Sequence, residues 1–206
     1  SVKALLEAGA DVNLKTTAEN TALGEILGYM KDNYFSFDKI PLIEKLLKLL
    51  VDNGLKINDT VDSKENTAFI KACKSIDENN LSNGKTLAAV VAKFLLKENC
   101  DVNSTNLDGQ TALMFLCASH DGEAQDLQIQ VLEAGADIEA TDKNGNTPLI
   151  YAAKNRNASI GKEMAELLFD FGDPKLEHVN NESKSALEIA TDLNNEEFVK
   201  FLLTKM

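Results

Sequence analysis

Apolar residues recur along this chain at the three- and four-residue spacing that is typical of amphipathic helices. Two such sets are Leu42, Ile43, Leu46, Leu47, Leu50 and Val51, and Val90, Val91, Phe94 and Leu95. Each set covers a broad face, as expected of a helix that is buried against neighbours on two sides. Unbroken apolar runs such as 87–92 are far too short to span a bilayer. The pattern therefore predicts packed helices and no membrane insertion.

A first short motif predicts where helices begin. It consists of Thr or Ser, then Ala or Pro, then an apolar residue, and successive copies start 46, 44, 36 and 38 residues apart. A Thr or Ser hydroxyl can accept a hydrogen bond from a free amide of the first helical turn, and Pro is tolerated at the first helical position. The copies are Thr21-Ala22-Leu23, Thr67-Ala68-Phe69, Thr111-Ala112-Leu113, Thr147-Pro148-Leu149 and Ser185-Ala186-Leu187.

A second motif alternates with the first and predicts where helices end. Gly suits the left-handed backbone conformation that ends many helices, and Asn is the next best residue. We therefore expect the first residue of each copy to end a helix in that conformation. The copies are Gly9-Ala10-Asp11, Gly54-Leu55-Lys56, Asn99-Cys100-Asp101, Gly135-Ala136-Asp137 and Gly172-Asp173-Pro174.

A short extended piece and a tight turn follow each predicted helix end. Residues 101–103 lead to Asp108-Gly109, and residues 137–139 lead to Asn144-Gly145. Asp-Gly and Asn-Gly are strong signals for tight turns. The repeated unit is therefore a hairpin-like turn, a helix, a loop and a second helix.

At these residues the chain resembles the ankyrin-repeat family. Segment 142–153, with the sequence DKNGNTPLIYAA, is similar to the opening of the family consensus, and segments 135–140 and 9–13 are similar to its close. The resemblance covers almost the whole chain. It implies an all-α solenoid of stacked helix-turn-helix units with short hairpin-like loops, whose hairpin tips and first helices form a concave surface that binds another protein.

The chain departs from the family pattern in several places. Successive copies of the first motif lie farther apart than the family repeat of about 33 residues. We place the extra residues between the two helices, at 33–40 in one unit and 75–84 in the next. The glycine of the hairpin tip is replaced by Glu19, Glu65 and Ser183. Proline at the helix start occurs only at Pro148, and the consensus histidine is missing.

We interpret the chain as one repeat domain, 1–206. Residues 1–15 form the second half of an incomplete repeat, and the chain, which starts without an initiator Met, is expected to be a fragment of a longer protein. In the last unit we expect Phe198, Val199, Phe201, Leu202 and Leu203 to pack back on the stack. The five further units are 16–60, 61–105, 106–141, 142–179 and 180–206.

Composition narrows the function classes. Apolar residues make up 44% of the chain, enough for a core, and aromatics only 6%, so that core is expected to be aliphatic. The net charge of −12 would repel a nucleic acid, because binding one rests on phosphate neutralisation. The cysteines Cys73, Cys100 and Cys117 are odd in number and widely spaced, which favours neither zinc nor disulfides and indicates a reducing, cytoplasmic location.

Cys117 and His120 are three residues apart, which can place a thiol and its base on one helix face. A structural role is the stronger interpretation, because Cys117 occupies the small buried position that Cys73 and Ala153 occupy in neighbouring units. The only other histidine, His178, has no cysteine or carboxylate cluster around it that would suit a transition metal. We predict no catalytic residue, no cofactor and no metal site.

The aromatic residues Tyr34, Phe35 and Phe37 of the first insert allow two interpretations. They could anchor a partner, or they could fold over the long helix of their own unit and give the loop a small core. We favour the second, because large exposed apolar patches are rare on soluble proteins.

The leading hypothesis is a monomeric scaffold that binds another protein, with no nucleic acid as partner and no membrane insertion. Leu107 is the most informative candidate, since a leucine at an exposed tip is expected to contact something. The alternatives are the recognition arm of a larger enzyme or secreted effector, and a hydrolase that uses Cys117. The candidates for partner binding are Ser63, Lys64, Asn66, Lys74, Ser75, Leu107, Asp108, Gln110, Ser119, Lys143, Asn144, Asn146, Lys154 and Asn155.

Overall fold

The structure is a computed structural model that describes residues 2–32, 40–78 and 87–206. These residues form eleven α-helices and, within those ranges, no strand longer than an isolated bridge. The helices are α1 (Val2–Glu7), α2 (Ala22–Asp32), α3 (Ile40–Asp52), α4 (Ala68–Glu78), α5 (Leu87–Lys97), α6 (Ala112–Ala118), α7 (Gly122–Glu133), α8 (Pro148–Ala153), α9 (Ala158–Phe171), α10 (Ala186–Asp192) and α11 (Glu196–Leu203).

The helices stack in two layers that follow the order of the chain. The first helices of the units, α2, α4, α6, α8 and α10, each contact the next in the series, and so do the second helices α3, α5, α7, α9 and α11. Each unit thus contributes one helix to each layer, and its apolar faces are covered by the units before and after it. The expected helical solenoid is confirmed.

Hydroxyl side chains start the first helices, as the first motif predicts. Thr21, Thr67 and Thr111 accept the backbone N–H three residues later at 3.1, 3.2 and 3.4 Å. Thr147 and Ser185 do the same at 3.4 and 3.3 Å. Each bond satisfies one of the amides that a helix start leaves without a partner inside the helix.

Left-handed residues end four helices, and the fifth predicted one is wrong. Gly9, Gly54 and Gly135 have φ of 86°, and Asn99 has φ of 58°. Gly172 follows the end of α9 but is extended, with φ of −174° and ψ of −163°. At the other four positions the chain turns through a backbone bond between residues five apart, such as Cys100 N–H to Leu95 O at 3.1 Å. After α9, Pro174 favours an extended conformation of Asp173, the residue before it.

The core is mainly aliphatic and rich in small residues. It is not wholly aliphatic, contrary to the prediction from composition, because Phe69, Phe198 and Phe201 are also buried in it. Cys73, Cys117 and Ala153 occupy equivalent positions of α4, α6 and α8 and are no more than 1% exposed. Small side chains there let the two layers approach closely. At Gly161 of α9, an added Cβ would lie 2.6 Å from the carbonyl oxygen of Ala152 in α8. A larger residue would therefore push these helices apart.

A row of side chains ties each second-helix end to the next unit. Asn13 donates to Gly54 O at 2.9 Å and accepts from Lys56 N–H at 2.9 Å. Asn103 makes the same pair with Gly135 O and Asp137 N–H at 3.1 and 2.8 Å. Because each side chain satisfies backbone groups of the following unit, the stack is held by polar bonds as well as by its core.

Some expectations for the helix faces and inserts need correction. Leu42 and Leu203 are 65% and 56% exposed rather than packed, while Phe198 and Leu202 of α11 are buried as expected. Helix α4 runs to Glu78, so the second insert begins later than residue 75. The aromatic residues of the first insert, within 33–39, and residues 79–86 lie outside the described residues.

Candidate partner-binding surface

One side-chain oxygen closes each hairpin tip. The oxygen of the first tip residue accepts the backbone N–H groups two and four residues later; for Asp142 these are Asn144 at 2.9 Å and Asn146 at 2.8 Å. Short polar side chains favour such local bonds over regular secondary structure. The residues that play this part are Thr16, Asp62, Asn106, Asp142 and Asn180.

The fourth residue of each tip has a left-handed backbone. Gly109 and Gly145 have φ of 75° and 74°, whereas Glu19, Glu65 and Ser183 adopt φ of 62°, 57° and 58° despite their side chains. The left-handed conformation costs a non-glycine residue roughly 1–2 kcal/mol. The tips therefore keep one shape even where the family's glycine is missing.

Neighbouring tips are joined through their backbones. The N–H of Leu107 donates to Lys64 O, that of Lys143 to Asp108 O, and that of Asn181 to Asn144 O, each at 2.9 Å. Side chains extend the row, because Asn106 donates to Asn66 Oδ1 at 3.0 Å. The residues between these bonds are consequently held at fixed positions along the stack.

The carboxylates that close two tips are set in hydrogen-bonded sites. Burial raises the pKa of Asp142, but hydrogen bonds from Asn146 and from the Tyr151 hydroxyl outweigh burial, so the pKa lies below its usual value. The same balance, with Asn66 and Lys71 as partners, lowers the pKa of Asp62. Burial raises the pKa of Tyr151, whose hydroxyl donates to Asp142 Oδ2 at 2.8 Å. The two aspartates are therefore held ionised and the tyrosine neutral, and these are the forms that make the hydrogen bonds of the tips.

The structure divides the candidate residues by exposure. Lys74 and Gln110 are partly buried, and the others fall into an exposed and a buried group. The exposed group is Ser63, Lys64, Leu107, Asp108, Lys143, Asn144 and Lys154. The buried group is Asn66, Ser75, Ser119, Asn146 and Asn155, all at most 7% exposed.

The buried group makes bonds inside the stack. Asn155 donates to Ser119 O at 2.8 Å and accepts from Asn157 N–H at 3.0 Å. Asn146 accepts from Asn180 of the next tip at 2.9 Å, and Ser75 donates to Lys71 O at 2.9 Å. The sequence pattern finds the tips but does not tell which of their polar residues turn inward. These residues therefore shape the surface rather than offer exposed area to a partner.

Three residues of the same surface were missed by the sequence prediction. Lys71 forms an ion pair with Asp62 at 3.4 Å, and Tyr151 accepts from Gln110 of the preceding tip at 2.7 Å. The ring of Phe115 lies 5.2 Å from the ammonium group of Lys74. All three stand four residues after the Thr that caps their helix, and this shared position is the signal that could have identified them.

We call these neighbouring residues the tip surface. It comprises the exposed tip residues and the side of α4, α6 and α8 that contacts the tips. Its members are Ser63, Lys64, Glu65, Lys71, Lys74, Leu107, Asp108, Gln110, Phe115, Lys143, Asn144, Tyr151 and Lys154.

The cysteines are placed for packing and not for chemistry. Cys117 is buried, and its sulfur contacts the side-chain amide of Gln128 at 3.6 Å. Burial raises the pKa of the Cys117 thiol, and it raises that of Cys100 to about 12. The thiolate is the nucleophilic form, so this position argues against Cys117 as a nucleophile.

His178 has a structural bond as well. Its Nε2 lies 2.8 Å from Gly145 O, and because a carbonyl only accepts, the ring nitrogen is the donor. Among residues 2–32, 40–78 and 87–206, no group of three or more His, Cys, Asp or Glu residues is arranged to hold a metal ion. Within the same ranges, no helix combines the length and apolar character that crossing a membrane requires.

Comparison with known proteins gives several matches. A family model described as ankyrin repeats (3 copies) matches residues 83–160 and 116–206. The chain is 30% identical over 185 residues to ankyrin repeat protein L92 of Acanthamoeba polyphaga mimivirus, covering 75% of the chain and 43% of that protein. It is 30% identical over 159 residues to tyrosine-protein kinase HTK16 of Hydra vulgaris, covering 66% of the chain and 20% of that protein. It is 28% identical over 120 residues to palmitoyltransferase AKR1 of Lachancea kluyveri, covering 58% of the chain and 15% of that protein.

The chain spans less than half the length of each of these relatives. Ankyrin repeats are generally protein–protein interaction modules and are typically non-catalytic. The family match extends over more than half of the chain, and the described helices stack as the repeats require. The chain belongs to the ankyrin-repeat family.

Proposed function

We propose that this chain holds a partner protein on the tip surface. The observation that carries the proposal is Leu107, which is 47% exposed at a tip. The backbone of that tip bonds to Lys64 on one side and to Lys143 on the other. A partner that buries this leucine removes apolar area from water, and it does so without ordering a flexible loop, which is a main cost of binding.

The family supports the same role, since its repeats generally act in protein interactions. The repeat boundaries that we propose, 61–105, 106–141 and 142–179, assign the tip surface to the three middle units. Each contributes a tip and a first helix. A surface built from three units can contact an extended segment along several side chains at once.

The test replaces two exposed residues that take no part in tip closure. Partners are captured from the native source, identified by mass spectrometry, and measured again with Leu107→Glu combined with Lys143→Glu. We expect at least tenfold weaker capture and an unchanged melting temperature, because both side chains face solvent. The matched control is Leu203→Glu with Lys200→Glu on α11, which changes the same residue types at exposed positions. Capture that survives the first pair would refute the tip surface as the site.

A second candidate is that the chain is the recognition arm of a larger enzyme or secreted effector whose catalytic part lies outside 1–206. It is favoured by the matches to a tyrosine-protein kinase and a palmitoyltransferase, of which the chain covers 20% and 15%. Sequencing the full transcript decides it. An adjoining catalytic domain would support this role. If the transcript encodes none, the scaffold remains the proposed function.

We also propose a monomer in a reducing compartment, with cytoplasm as the first expectation. The support is that Cys73, Cys100 and Cys117 are buried free thiols, since exposure to an oxidising compartment favours disulfides. Light scattering on the purified chain checks the monomer: a mass above that of one chain would contradict it.

A further inference from the structure

The charge of the tip surface differs in sign from that of the chain. Segments 62–76, 106–120 and 142–156 contain six Lys and Arg against four Asp and Glu, a net charge of +2. The chain as a whole carries −12, so the remaining residues carry −14. A local positive region on an acidic protein favours an acidic ligand, because the remainder of the molecule repels it elsewhere.

Most of these lysines are available to a ligand. Lys64 and Lys143 are exposed at the tips, and Lys154 donates only to the neutral amide of Asn146, at 2.8 Å. Lys74 lies over the Phe115 ring. None of these four forms an ion pair with a carboxylate in the part of the chain that the structure describes. Lys71, by contrast, is engaged by Asp62.

The acids of the surface do not cancel these charges. Asp62 and Asp142 point into their tips, where they accept the hydrogen bonds described above. Only Glu65 and Asp108 are exposed. Four lysines without a carboxylate partner thus face two exposed carboxylates.

The helix at the centre of the surface is uncharged, and Asp108 at its tip is the one exposed carboxylate of segment 106–120. Helix α6 (Ala112–Ala118) contains no charged residue. Phe115 lies on this helix and is partly buried, and Leu107 is exposed at the tip before it. The lysines therefore form two groups, one before and one after a central apolar strip.

The two groups of lysines are separated by two helix-to-helix spacings, from α4 to α6 and from α6 to α8. Lys74 and Lys154 each stand seven residues after the capping Thr of their helix, at Thr67 and Thr147, and Ala118 holds that position in α6 between them. Packed helices lie about 8–10 Å apart, which puts the two groups roughly 16–20 Å apart. An extended peptide rises about 3.3 Å per residue, so this distance corresponds to about five or six residues.

The outer units limit the length of the basic region. The position of Lys154 is taken by Asp192 in the last unit, where Lys184 pairs with it at 2.6 Å. The position of Lys71 is taken by Glu25 in the first unit, where Asn20 donates to it at 2.8 Å. An acidic ligand that extended over either end would meet carboxylates.

From this arrangement we infer that the partner is a protein presenting an extended acidic segment with two carboxylate groups about five or six residues apart and an apolar side chain between them. The carboxylates contact Lys64 and Lys74 at one end and Lys143 and Lys154 at the other, and the apolar side chain covers Leu107 and Phe115. This inference rests on the proposed binding function of the same surface. A nucleic acid is disfavoured, because its uniform phosphates would meet the acidic ends and the net charge of −12.

The test is a selection from a phage-displayed library of random dodecapeptides. It uses the wild-type chain, Lys74→Glu with Lys154→Glu, and a control, Lys45→Glu with Lys97→Glu, which makes the same charge change at exposed residues of α3 and α5. We expect wild type and control to select peptides with Asp or Glu pairs around one apolar residue. A selected peptide should bind the tip-surface variant at least tenfold more weakly and the control within twofold.

Two further measurements sharpen the outcome. Lys74→Gln with Lys154→Gln removes charge without adding acid, so its affinity for a selected peptide should lie between that of the wild type and that of the Glu variant. The affinity of the wild type should fall as the salt concentration rises from about 50 to about 200 mM. Neutral or basic selected peptides, or equal binding to the tip-surface variant, would overturn the inference. So would comparable binding of a labelled twelve-nucleotide oligodeoxythymidine to the same lysines.

The two proposals fail in different ways. If Leu107→Glu with Lys143→Glu abolishes partner capture while the selected peptides are not acidic, the tip surface binds a protein of another chemistry. If partner capture is unchanged as well, the surface has no binding role.

Discussion

The tip that begins at Asp142 depends on a side chain in its ionised form. Its carboxylate accepts from two backbone N–H groups, the Asn146 amide and the Tyr151 hydroxyl. Burial alone would raise the pKa, but these bonds bring it below the ordinary value. A carboxyl group with a lowered pKa in the folded state contributes stability above its unfolded pKa of about 3.9, and this contribution is lost as pH falls through the folded pKa.

Replacing Asp142 by Asn tests this balance. Asn106 and Asn180 close other tips with the same two backbone bonds, so the variant keeps the turn, but its amide group cannot accept everything the carboxylate accepts. We expect a loss of about 1–2 kcal/mol of unfolding free energy at pH 7, shrinking below about pH 4. Urea titrations at several pH values measure it, with exposed Asp173→Asn as control. If the unfolding free energies of the variant and the wild type differ by the same amount at pH 7 and pH 3, ionisation of Asp142 does not contribute to stability.

For single residues, prediction from the sequence succeeded where the backbone conformation at a position favours a particular residue type. Asn99 could be assigned a left-handed conformation because Asn tolerates it best after Gly, and Thr147 could be assigned a capping role. It failed where the outcome depends on the surroundings. The inward turn of Asn146 and Asn155 depends on hydrogen-bond partners in neighbouring units: Asn180 donates to Asn146, and Asn155 donates to Ser119 O. No local pattern in the sequence records these partners.

At the scale of elements, the short first helices depend on their caps. Helix α6 has seven residues, too few to be stable alone, and it starts at Thr111, whose hydroxyl accepts Met114 N–H at 3.4 Å. Ser185 supplies the same bond for α10. A hydroxyl, rather than threonine as such, is therefore what the position requires.

Thr111→Ala removes this cap from a buried site. We expect a loss of about 1 kcal/mol of unfolding free energy, and a smaller loss for Thr111→Ser, which retains the hydroxyl. Denaturant midpoints of the two variants and the wild type give the comparison. Equal losses for Ala and Ser would mean that the methyl group, and not the hydrogen bond, stabilises the helix start.

Element boundaries could be predicted better than helix faces. The motifs located all five first helices, because capping is local. The exposure of Leu42 could not be predicted, since apolar spacing defines a face without showing whether a neighbour covers all of it. The row formed by Asn13 and Asn103 was also missed, because its bonds join residues about a repeat apart in sequence.

At the scale of the whole molecule, stability comes from neighbouring units. In a solenoid each unit contacts only the units beside it, so the central units have two stabilising interfaces and the terminal ones have one. Helix α1 contains no buried residue, and Leu5 on it is 63% exposed. By contrast, five residues of α6 and five of α8 are buried. The same central units carry the tip surface, which places the proposed binding residues on the most constrained part of the chain.

Hydrogen exchange should therefore follow position in the stack. We expect the amides of α1 to exchange nearly as fast as in an unfolded chain and those of α6 and α8 to exchange at least roughly a thousandfold more slowly, since they open only when both interfaces are lost. Mass spectrometry of exchanged, digested protein gives the rates by segment. Adding Asn103→Ala, which removes two bonds between successive units, should accelerate exchange in α5 and α7 before α9. Uniform exchange along the chain would instead mean that the stack unfolds as one cooperative unit.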